Sequence, residues 1–205
     1  MKKFLLLSLI AVVAGSAFAQ RPSLVIGPGQ GAANFRVPFH QTGSRTLSKD
    51  TTYILTGWYF VDSLASITIQ AGTLITGDST SGGTLIIKRG GKINANGTSA
   101  LPIVFTSAKG PGLRKVGDWG GVLILGSAPT NKPTSQQIEG GFGTANPNTD
   151  AQYGGSNPDD SSGVFRYVRI EFGGIAFAQD NEINGLTLGG VGRKTQIDHI
   201  QVSFA

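Results

Sequence analysis

The chain has 205 residues, a formal net charge of +5, 14% charged residues, 31 glycines, 11 phenylalanines and no cysteine. Without cysteine there are no disulfide staples and no lipoprotein acylation site, so stability has to come from packing and backbone pairing. Residues 20–117 hold 10 basic and 3 acidic side chains while residues 118–205 hold 5 and 9, and the acidic second half argues against nucleic acid as a partner.

Lys2 and Lys3 precede an apolar run from Phe4 to Gly15 and the small-residue exit Ser16-Ala17-Phe18-Ala19. This predicts a secretory signal peptide over residues 1–19, cut before Gln20. Its removal would lower the net charge to +3. The run is about a dozen residues, short of the roughly 20 needed to cross a bilayer, and no later stretch is long enough. No membrane-spanning segment is expected in the mature chain.

Residues 20–50, with Pro22, Pro28 and Pro38, read as a leader or N-terminal cap. Gly27-Pro28-Gly29-Gln30-Gly31 resembles a phosphate-cradling turn, but no amphipathic helix follows it and the proline removes an amide.

From residue 51 to 205 the chain repeats short alternating runs separated by glycine. Ser66-Ile67-Thr68-Ile69, Thr84-Leu85-Ile86-Ile87 and Pro102-Ile103-Val104-Phe105 align at a step of 18, with Gly72 and Gly90 in register. The same step links Val168 and Ile170 to Leu186 and Leu188. Many glycines and few charged faces predict an all-β chain, and the fixed step predicts a β-solenoid with about 18-residue coils rather than a β-sandwich. In that arrangement Ile67, Leu85 and Ile103 form one inward stack, and Ile69, Ile87 and Phe105 form another.

Trp119, before Gly120-Gly121, reads as a core-covering residue rather than a sugar platform, the glycines letting a neighbouring strand approach. A long polar loop follows at about residues 126–163. Asp150, Asp159 and Asp160 there can supply hard oxygen ligands, which makes calcium the candidate ion, although the spacing fits no EF-hand and turn formation explains the same residues. No other cofactor is indicated.

In Phe165 to Phe172, inward Val168, Ile170 and Phe172 leave Tyr167, Arg169 and Glu171 together on the outer face, a candidate ligand-binding patch, although an ordinary surface pair in which Arg169 and Glu171 neutralise each other explains the same residues better. His199, Gln201 and Ser203 share an outward face later. His40 and His199 are the only histidines, too few for a three-histidine zinc site, and there is no Gly-x-Ser-x-Gly elbow.

The segments Tyr53 to Gly77, Leu85 to Ser107, Gly117 to Asn131, Tyr153 to Gly174 and Asn181 to Ala205 are similar to exported β-helix proteins of Gram-negative bacteria. Such proteins typically carry a type IX secretion C-terminal sorting domain. The resemblance implies a right-handed parallel β-helix at or beyond the outer membrane, and it implies no reaction. The strand at Ile200, Val202 and Phe204 stops without a polar cap, so the chain reads as the N-terminal part of a longer protein.

The resulting expectation is a non-catalytic protein of adhesin-like or structural role, in the periplasm, on the outer-membrane surface or outside the cell. Its partners would be glycans or other cell-surface components. The alternative is a carbohydrate-active β-helix, a polysaccharide lyase or glycoside hydrolase.

Overall fold

The computed structural model describes residues 21–29, 37–132, 135–139, 150–178 and 181–205. The expected signal peptide and part of the 126–163 loop lie outside these residues.

Four- and five-residue strands, broken by glycine and polar corners, wind into a right-handed parallel β-helix with three faces. Face A is formed by β1 (Ser23–Ile26), β4 (Thr52–Leu55), β7 (Leu74–Gly77), β10 (Ile103–Ser107) and the second halves of β14 (Gly163–Glu171) and β18 (Gln196–Ser203). Face B is formed by β2 (Pro38–Gln41), β5 (Trp58–Val61), β8 (Thr84–Ile87), β11 (Gly121–Leu125) and β17 (Leu186–Gly189). Face C takes β3 (Ser44–Leu47), β6 (Ser66–Ile69), β9 (Lys92–Asn96) and the first halves of β14 and β18. Residues 21–29 and 37–47 thus supply one strand to each face. Among the described residues no helix is long and apolar enough to cross a membrane.

The register corrects the 18-residue coil. Ile67 lies on face C, Leu85 on face B and Ile103 on face A, so an 18-residue step carries the chain to another face and not to the next coil. The proposed stacks through 67, 85 and 103 and through 69, 87 and 105 therefore do not exist. Neighbouring coils are offset by 22 residues where Tyr53 lies beside Ile75, by 26 where Ser66 lies beside Lys92, and by 65 where Ile103 lies beside Val168. Strands on all three faces have the same length and alternation, so aligning them by pattern superposes different faces.

The true inward ladders are Tyr53, Ile75, Phe105 and Ile170 on face A, Tyr59, Leu85 and Val122 on face B, and Ile69, Ala95 and Phe165 on face C. All belong to one continuous buried cluster. Each fully buried large aliphatic or aromatic side chain contributes about 1.5–3 kcal/mol of transfer free energy, so the core grows with every coil.

Trp119 is fully buried in this core, stacked on Phe105 at 6.2 Å, and donates its indole N–H to the Glu171 carbonyl at 2.8 Å. It fills the space beside Gly77, where a Cβ would come within 2.4 Å of the ring. Packing is the role of this tryptophan.

Face B carries a second apolar layer outside. Trp58, Phe60, Ile86, Leu123 and Leu125 form a cluster with Ala151 and Ile183. Two antiparallel hairpins adjoin it: β12 (Gln136–Gln137) with β13 (Gln152–Tyr153), and β15 (Ala176–Ala178) with β16 (Asn181–Glu182). Strands β5, β8 and β11 are accordingly buried on both sides.

Candidate functional site

The corner between faces C and A turns without glycine in the last coils. Tyr167 and His199 adopt φ of 47° and 52°, left-handed values that cost an ordinary side chain about 1–2 kcal/mol. They occupy equivalent places 32 residues apart, between the register pairs Arg166 with Asp198 and Val168 with Ile200. Their rings stack with centroids 4.2 Å apart and planes 18° from parallel, which offsets part of the strain. Phe172 and Phe204, at φ 62° and 55°, repeat the device at the far end of the same strands and stack at 5.0 Å.

Charged groups surround the Tyr167–His199 stack. The Arg166 guanidinium lies 5.9 Å from the Tyr167 ring centre and pairs with Asp198 at 3.1 Å. Asp198 also reaches His199 Nδ1 at 2.6 Å. Arg169 pairs with Glu171 on the outside of face A, and the Thr106 hydroxyl donates to the second Glu171 oxygen at 3.1 Å. The side chains of Arg169 and His199 are 45% and 53% exposed. Arg169 is the exposed member of its pair, whereas the Glu171 side chain is only 13% exposed and is also held by Thr106, so a ligand meets the guanidinium against a fixed carboxylate.

Of the predicted patch, Arg169 and Glu171 point outward together, whereas Tyr167 sits on the corner. The ridge also includes Arg166, Asp198 and His199. Their signal was present: Phe165-Arg166-Tyr167-Val168-Arg169-Ile170-Glu171-Phe172 aligns at 32 residues with Ile197-Asp198-His199-Ile200-Gln201-Val202-Ser203-Phe204, aromatic over aromatic at both corners.

The three aspartates considered for calcium have separate partners. Asp150 is buried and accepts from Lys88 Nζ at 2.5 Å, beside His40 and Asp62. Asp160 is buried and accepts from the Ser127 hydroxyl at 2.7 Å, while exposed Asp159 pairs with Arg193 at 2.8 Å. Among the described residues there is no group of three or more His, Cys, Asp or Glu that could hold a metal ion.

Among the described residues, Asp118 is the carboxylate with the fullest set of partners. Burial opposes its ionisation, but the Lys109 ammonium at 2.6 Å, the Ser107 hydroxyl at 2.6 Å and the Lys115 amide at 2.9 Å hold its acidity stronger than the ordinary value. It ties the 108–118 segment down beside Trp119.

Residues 40–204 match the family described as the pectate-lyase-like beta helix domain. No curated protein and no solved structure matches the chain. With the match covering most of the sequence and the three-faced parallel coil beneath it, the chain belongs to the pectate-lyase-like β-helix domain family.

Proposed function

We infer that this is an exported, cell-surface or extracellular β-helix that binds polysaccharide through the ridge of Tyr167, His199, Arg166, Arg169 and Glu171 without cleaving it. The observation that carries the reading is the strained aromatic stack at the corner, with the half-exposed Arg169 guanidinium held by the largely buried Glu171 carboxylate on the adjoining strand. Backbone strain in non-glycine residues clusters where side-chain placement serves a ligand. Aromatic rings offer a face to the C–H side of a sugar, and guanidinium and carboxylate groups pair with vicinal hydroxyls or uronate oxygens. Non-catalytic binding is preferred because the charged outward side chains of this strand, Arg169 and Glu171, pair with each other and supply no separate acid and base.

The export signal in residues 1–19 supports the location, and the family match supports the carbohydrate class. Incubating the protein with insoluble pectin, alginate and glucans, then measuring both retained protein and released products, tests the reading. Retention without reducing ends or unsaturated uronates is expected. Sustained product release would replace it with the lyase or hydrolase alternative, and absence of retention on every polymer would remove it.

A further inference from the structure

A separate cleft opens on the outside of face B, away from the corner ridge. It has a volume of about 200 Å³ and lies between the two hairpins, lined by Gln137, Glu139 and Tyr153 on one side and Glu182, Ile183 and Asn184 on the other. Thr187 is at its floor, on the outer side of β17 beside Leu123 of the outer apolar layer.

Two features point to a ligand. The hydroxyl oxygen of Thr187 is buried and has no hydrogen-bond partner among the described residues. A buried hydroxyl left unmatched is costly, and a turn of the Thr187 side chain toward the cleft would let an arriving polar group satisfy it. Glu139 and Glu182, both exposed, line the cleft and make no ion pair among the described residues, and no lysine or arginine lies among the lining residues. The cleft therefore carries uncompensated negative charge over a polar floor, with Tyr153 and Ile183 as apolar surface. Its volume falls below the roughly 300 Å³ at which drug-sized pockets begin, which suits one ring rather than an oligosaccharide.

We propose that this cleft binds a single amino sugar, a polyhydroxylated ring bearing a protonated amine. The amine sits between the Glu139 and Glu182 carboxylates, the hydroxyls meet Asn184 and Thr187, and the C–H face lies on the apolar wall. Uronates are rejected by like charge, so the specificity is opposite to that expected of a pectate-binding surface.

Titration of the full chain at neutral pH and low salt with glucosamine, glucose and galacturonic acid, followed by NMR, tests the assignment. Glucosamine is expected to bind, glucose about tenfold more weakly, and galacturonic acid not at all. Glu139→Gln and Glu182→Gln each weaken glucosamine binding about tenfold with the melting temperature unchanged, since both residues are exposed. Tyr167→Ala, which removes the corner stack, leaves glucosamine binding intact and so separates this cleft from the polysaccharide ridge. Galacturonic acid binding as tightly as glucosamine, no glucosamine binding at saturating concentration, or unchanged binding in both glutamine variants would overturn the proposal.

Discussion

Replacing Lys88 by Met leaves the Asp150 carboxylate, only 7% exposed, without its cation. We expect a loss of about 2 kcal/mol in denaturant unfolding and faster amide exchange in the segment around Asp150. Burial weakens the tendency of Lys88 to carry charge, but the bonds to Asp150 and Asp62 outweigh it and raise its pKa above 10.5. That stabilisation is present throughout neutral pH and fades only as pH rises past this value. Asp118 works in the opposite direction. Its pKa lies below 3.8, so its contribution holds above that pH and is lost as pH falls through the lowered value. An Asp118→Asn variant should be less stable than the wild type at neutral pH and should converge with it in strong acid, as followed by thermal melting. Neither pairing could be read from sequence. Lys88 and Asp150 are separated by 62 positions, and only the folding back of the inserted segment brings them together.

At the scale of the strand and its corner, Gly121 and Trp119 are the sensitive points. Gly121 has φ of 132°, and a Cβ there would lie 2.6 Å from the Asn184 carbonyl oxygen. Gly121→Ala should therefore cost more than about 2 kcal/mol, in contrast to an exposed glycine such as Gly110, where nothing lies within 4 Å. Trp119→Ala should cost about 3–5 kcal/mol, because it empties a fully buried space beside Gly77 and Phe105. Both the tryptophan's packing role and the close approach at Gly120-Gly121 were legible, since a bulky residue beside two glycines signals tight packing. The corners at Tyr167, Phe172, His199 and Phe204 were not marked by glycine, and only the 32-residue alignment reveals them.

Across the whole molecule, the three-faced coil explains what pattern could and could not tell. Alternation in Ser66–Ile69 and Thr52–Leu55 marks strands with one buried side, whereas the unbroken apolar runs Trp58–Val61 and Gly121–Leu125 mark face B, buried on both sides. That contrast distinguishes the faces, and a single 18-residue period hides it. The hairpins beside face B come from insertions that stretch the coil offset to 64 residues between Val122 and Leu186, which no fixed repeat accommodates. The ridge lies on a corner away from these insertions, where successive coils present the same positions side by side. Its claim to bind polysaccharide is tested most directly by affinity electrophoresis in gels containing the retained polymer, comparing wild type with Tyr167→Ala/Arg169→Ala. Retardation of the wild type and its loss in the double variant, with the circular dichroism spectrum unchanged, are expected; equal retardation of both proteins would contradict polysaccharide binding at the ridge.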